Sequence, residues 1–117
     1  MYTGVVERGS QSAAGLGYPT INIPLADTDV SGIFAAEVSV EDAVYFAAAY
    51  ANPARGILEA HLLDFSGEPA QTGELYGKRA EIELLEKIRE DKKFDDEAAL
   101  KDAIAQDVQA VREYFHV

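Results

Sequence analysis

Hydrophobic and polar residues alternate with a period of two in two segments of this chain, and the period changes to a helical one near its end. The segment "GIFAAEVSV" (32–40) ends in alternation, Val38 and Val40 against Ser39 and Glu41, the pattern of a half-buried strand. A tight turn is expected at "ED" (41–42), with "AVYFAAAYA" (43–51) returning as the hairpin partner. The alanines of that segment also permit a helix, but Asn52-Pro53 ends it and its length suits a strand. "TGVVE" (3–7) and "GILEAHLLDF" (56–65) are further strand candidates. In "GKRAEIELLEKI" (77–88), Ala80, Ile82 and Leu84 alternate with Glu81 and Glu83. Strands at this spacing, with no long helix between them, predict an antiparallel barrel or sandwich.

The last segment has a different rhythm. Leu100, Ala103, Ile104, Val108, Val111 and Phe115 recur at helical spacing. Asp95 or Asp96 can cap the start, Phe94 sits where a hydrophobic staple would, and the acids at 95–97 suit a helix N-terminus. A helix of about 20 residues, roughly 30 Å long, would cover one face or one open end of a small barrel. A surface loop is expected at 66–76. One stretch resists a simple reading: "GLGYPTIN" (15–22) is rich in turn residues, yet it runs at once into Ile21-Asn22-Ile23-Pro24-Leu25. It is either a turn entering a strand or a loop shaped to hold something.

Composition narrows the function. The chain has 117 residues, 48% of them hydrophobic and 26% charged, which fits one globular domain with one core. It contains no cysteine, which removes disulfides, thiolate nucleophiles and zinc thiolate sites and fits a reducing, cytoplasmic setting. No apolar run approaches the ~18 residues that span a membrane, and the N-terminus does not read as a signal peptide. The net charge of −11 argues against nucleic-acid partners. It also means that a phosphate ligand would need a metal ion, a local cation or backbone N–H groups to offset the field.

Four features carry candidate chemistry, each with an ordinary alternative. The segment 5–22 contains Gly9, Gly15 and Gly17 among small residues. Such a loop lets backbone N–H groups approach a phosphate, or is a plain surface loop. It is neither a Walker A loop, since no Gly-Lys-Ser/Thr closes it, nor a dinucleotide fingerprint, since no helix follows. Thr20 and Asn22, two apart on an extended segment, point the same way. Their oxygens suit magnesium with phosphates, or form an ordinary polar face. Glu59 and His61 share a face opposite Ala60 and Leu62. Glu59 is either a partly buried general base or a solvent-facing acid beside His61, which reads as structural. Arg89, in "KIREDKKF", would pair with a phosphate or with the neighbouring acids Glu90 and Asp91. His116 has no expected role, and neither a catalytic triad nor an H-E-x-x-H motif is present.

Taken in order, the Gly-rich loop, "GYPTIN", "SGIFAAEV", "ANP", "LEAHLLDF", "ELYGKRAEIELLEKIREDKKF" and the acid-capped helix resemble the riboflavin kinase family from about Tyr2 to Phe115. "GYPTIN" is similar to that family's Pro-Thr-Ala-Asn signature. The resemblance implies a mainly β fold, a six-stranded antiparallel Greek-key barrel with a C-terminal helix. It implies ATP- and Mg²⁺-dependent phosphorylation of the terminal ribityl hydroxyl of riboflavin, giving FMN and ADP. By the same resemblance Thr20 and Asn22 are metal- and phosphate-binding, and Gly9, Ser10, Gly15 and Gly17 belong to the nucleotide loop. Glu59 is the general base, and Arg89, Lys92 and Phe94 are on the flavin side. The expected ligands are riboflavin, ATP or ADP, and FMN, with no nucleic acid or membrane partner, on a monomer. Many bacterial members carry an FMN adenylyltransferase domain ahead of the kinase; residues 1–117 read as a single kinase domain, whether stand-alone or excised. Three departures from the pattern stand out. "SQSAAG" lacks the basic residue usual in the phosphate loop, Ile21 replaces the signature alanine, and "ANPARG" is short. The first of these opens an alternative, a flavin- or nucleotide-binding module with weakened turnover. Ile21 should face away from the site, into the core.

Overall fold

The alternating segments form strands because each has one apolar face to bury and one polar face to leave outside. The computed structural model describes residues 1–8, 20–41, 43–63, 76–90 and 95–116. In them, β1 (Tyr2–Val5), β2 (Glu7–Arg8), β3 (Thr20–Pro24), β4 (Gly32–Val40), β5 (Ala43–Asn52), β6 (Ile57–Leu62) and β7 (Arg79–Arg89) precede one helix, α1 (Glu97–Phe115). All pairings are antiparallel, in the order β1-β7-β4-β5-β6-β3-β2.

The two ends of that order belong to one stretch of chain. β1 pairs with β7, and the Val6 N–H continues the pairing by donating to the Lys78 carbonyl at 2.8 Å. Glu7 and Arg8 then cross to Asn22 and Ile21 of β3. A single N-terminal strand, interrupted at Val6, therefore occupies both edges, and six antiparallel strands make a nearly closed barrel. Closure removes most of the exposed sheet edge. Gly4 permits the close approach: a Cβ there would lie 3.1 Å from Ile23 Cβ and 3.2 Å from Pro24 Cδ. The Tyr2 hydroxyl donates to Asp27 Oδ2 at 3.0 Å and fastens the same strand to the β3–β4 connection. Burial, helped by the Asp27 bond and charge, pushes the Tyr2 phenol up from its ordinary range, so it remains a donor at neutral pH.

Ile21, Ile23, Val38, Leu58, Leu62 and Ile82 fill the interior, all 1% exposed or less. A small barrel leaves little radius, and Ala36, Ala47, Ala49, Ala51, Ala60 and Ala80 supply the small partners that let the large ones fit. The alanines of β5 are thus strand residues, paired with β4 on one side and β6 on the other, and the helical alternative for 43–51 is excluded. Val40 pairs with Ala43 across the expected two-residue turn, where Glu41 adopts φ 55° as a primed hairpin turn requires.

Asp96 caps α1, its Oδ1 accepting the Ala99 N–H at 2.7 Å, and Glu97 adds negative charge in the first turn. Of the two positions expected for the helix, it takes a face: Val111 packs on Ala35 and Ala48, with Leu63, Ile88 and Phe115 around them. The Phe115 ring stacks on Phe46 at 4.1 Å and 11°. Alanine at 35 and 48 keeps the outer wall flat enough for the helix to lie close. Gly32 begins β4 with φ +108°, and a Cβ there would meet the Arg89 carbonyl oxygen at 2.6 Å. That contact brings the end of β7 against the start of β4. The expected 66–76 loop, apart from Tyr76, and the staple residue Phe94 lie outside the described residues.

Candidate functional site

The antiparallel register of β3 and β6 sets Thr20 opposite His61 and Asn22 opposite Glu59. Directly opposed residues lie roughly 5 Å apart, and residues two apart along a strand roughly 7 Å, so the four side chains occupy the corners of a small rectangle. Their neighbours Ile21, Ile23, Leu58, Ala60 and Leu62 point into the barrel, as the alternation at Ile21 predicts. The rectangle therefore belongs to the outer wall. It is nonetheless buried: Thr20 is 4%, Asn22 8%, Glu59 9% and His61 8% exposed. The solvent-facing alternative for Glu59 and His61 is excluded.

Polar groups brought to such burial need partners. His61 Nε2 lies 3.0 Å from Glu59 Oε1. Nε2 is the donor of this bond in the tautomer that carries its proton there. Asn22 Oδ1 is different: it is buried and has no hydrogen-bond partner among the described residues. The same two cross-strand rows continue over the wall. Thr20–His61 leads to Ala48 and Ala35, which lie under α1, and Asn22–Glu59 leads to Tyr50, Ile33 and Arg89.

Arg89 is the last residue of β7, and among the described residues it meets an acid of the helix. Its Nε and Nη2 donate to the two carboxylate oxygens of Asp107 on α1, at 2.7 and 2.8 Å, and Nη1 donates to the Glu90 carbonyl at 3.0 Å. Planar bidentate pairing of this kind is strong and directional. The guanidinium thus ties β7 to the helix immediately before residues 91–94. Asp107, 6% exposed, was legible as a helical residue in the buried stripe Ile104–Val108–Val111, an acid on an apolar face. His61 carried a weaker signal, its two-residue spacing from Glu59. Gly9, Ser10, Gly15, Gly17, Lys92 and Phe94 lie outside the described residues.

The donor set can be tested against a hard cation. Among the described residues no group of three or more His, Cys, Asp or Glu side chains forms a metal cage. What the wall offers is a hydroxyl, a buried amide oxygen and one carboxylate. Magnesium commonly takes one or two protein oxygens and completes its shell with phosphates and water, so this set fits magnesium carried in with a nucleotide.

A small, nearly closed barrel thus carries Thr20, Asn22 and Glu59 together on one wall, in a sequence without the glycine-lysine loop of the P-loop enzymes. Sequence comparison makes the assignment specific: the Flavokinase family, riboflavin kinase, matches residues 1–115, and the chain belongs to it. Similar curated proteins are bifunctional riboflavin kinase/FMN adenylyltransferases. That of Pseudomonas fluorescens is 33% identical over 118 residues, covering 93% of this chain and 36% of that protein. That of Mycoplasma pneumoniae is 32% identical over 117 residues, covering 96% and 41%. That of Escherichia coli K12 is 32% identical over 122 residues, covering 97% and 37%. The chain thus spans 36–41% of the length of these relatives. A solved structure described as a macrolide-efflux protein from Streptococcus pneumoniae has the same fold, with a TM-score of 0.72 at 26% identity over 94% of this chain and 37% of that one. No helix among the described residues is long and apolar enough to cross a membrane.

Proposed function

We propose that this chain phosphorylates riboflavin to FMN with ATP as donor, and that Glu59 is its general base. The observation that carries the reading is the buried rectangle of β3 and β6, with its carboxylate directly opposite an amide oxygen that has no hydrogen-bond partner among the described residues. In the reaction the primary ribityl oxygen attacks the γ-phosphorus, the bond to the β–γ bridging oxygen breaks, and ADP leaves. The proton of the attacking hydroxyl goes to the Glu59 carboxylate and from there to water. Phosphoryl transfer asks the protein chiefly for positioning and charge stabilisation, together with a group that orients the nucleophile. Thr20 and Asn22 are the residues to hold magnesium, which when bound neutralises charge on the transferring phosphates. Gly9, Ser10, Gly15 and Gly17 are proposed for the nucleotide. Arg89, Lys92 and Phe94 are proposed for the flavin side, Arg89 through its anchorage to Asp107 rather than through a ligand contact.

The acidity of the chain gives the metal more to do. With a net charge of −11 and no Lys or Arg from Gly9 to Ile23, backbone N–H groups and the ion are the counter-charges at hand. The same observation supports a second reading, a module that binds flavin or nucleotide with weakened turnover. One assay distinguishes them: chromatography of riboflavin incubated with the chain and ATP, with magnesium present or chelated. The kinase reading expects FMN that depends on magnesium. Ligand binding by calorimetry without FMN would favour the module, and neither binding nor FMN would contradict both. The adenylyltransferase and efflux activities in the names of similar proteins are those proteins' own.

A further inference from the structure

We infer that His61 is a positioning residue for Glu59, holding the carboxylate in the orientation that the attacking hydroxyl requires; this rests on the kinase reading above. Glu59 and His61 are two apart on β6, share the outer face, and meet at 3.0 Å with both residues under 10% exposed. A glutamate side chain has three rotatable bonds, and confining it costs rotamer freedom. A fixed Nε2–H donor on Oε1 supplies that confinement from the protein before any substrate arrives. His61 is in turn fixed by its strand. It is 8% exposed, lies opposite Thr20 on one side and Ala48 on the other, and the Ala48 side chain belongs to the cluster packed under α1. The order of support therefore runs from the helix-covered wall, through His61, to the base. Misplacement of a reacting group by about 1 Å costs on the order of a hundredfold in rate, so a side chain that touches no substrate can still govern turnover.

Three measurements on the same chain separate this role from simple packing. Nitrogen-15 NMR of the imidazole should find the proton on Nε2; the Nδ1-protonated tautomer would overturn the inference whatever the activity. Single-turnover FMN formation should fall about tenfold to a hundredfold in His61→Leu, with KM for riboflavin and ATP nearly unchanged and the melting temperature reported alongside. His61→Gln, whose amide nitrogen reaches nearly the same point as Nε2, should recover most of the rate. Equal losses in Leu and Gln, or no loss in Leu, would reduce His61 to a packing residue. A wild-type chain that makes no FMN would instead remove the kinase reading, and with it the catalytic half of this inference, while the tautomer still decides the hydrogen bond.

Discussion

A buried carbonyl oxygen without a donor costs about 1–3 kcal/mol, and Asn22 Oδ1 is such an atom among the described residues. The fold carries that cost on β3, between two core isoleucines, at the position that faces Glu59. A group kept at the expense of stability is expected where function needs it. Asn22→Leu should therefore hold or raise the melting temperature of the ligand-free chain while weakening magnesium–nucleotide binding at least tenfold, as read by scanning and titration calorimetry. A large loss of stability with binding intact would make Asn22 a structural residue. Much at this scale was legible in the sequence. The spacing of Thr20, Ile21 and Asn22 fixed which side chains share a face, and Ile21 lies inward as that spacing requires. The burial of Glu59 was open in the sequence, because a strand's outer face is exposed or covered according to what packs on it, which is a long-range matter.

A bidentate pair joins two elements that also pack through Ile88 and Val111. Arg89 ends β7, Asp107 lies in the middle of α1, and the carboxylate is only 8% exposed while the guanidinium is 29% exposed. Removing one partner of a largely buried pair costs roughly 3 kcal/mol, less where water reaches the remaining charge. Asp107→Ala should thus lower stability by about 2–3 kcal/mol in urea denaturation, and it should raise KM for riboflavin more than for ATP if β7 and α1 together frame the flavin side. Equal changes in both KM values would place the effect in the fold as a whole. The helix itself was legible from its period, its Asp96 cap and its acidic first turn. The pair was hidden because its partners are 18 residues apart and belong to elements of different period. Local pattern reveals that Asp107 is on the apolar stripe, but only packing reveals which cation reaches it.

At the scale of the molecule, the barrel closes because one N-terminal strand serves two edges, with Gly4 allowing it past Ile23 and Pro24. The strand spacing left barrel and sandwich both open and the resemblance implied the barrel, while the pairing that closes it is set by register and turn geometry rather than by any one segment. The net charge acts over the same scale. A chain of −11 repels a nucleotide at long range, over about 30 Å at 0.01 M salt and about 10 Å at 0.1 M. The association rate of magnesium–ATP should therefore rise as salt increases between those limits, by stopped-flow measurement. A steep fall would indicate a cationic entrance that outweighs the overall field. The proposed role of the Glu59 carboxylate is decided by one comparison: single-turnover formation of FMN from riboflavin and magnesium–ATP by the wild-type chain and by Glu59→Gln. FMN is expected from the wild type and a rate lower by about a hundredfold to ten-thousandfold in the variant, with riboflavin and nucleotide still bound. Equal rates in the two proteins would contradict it.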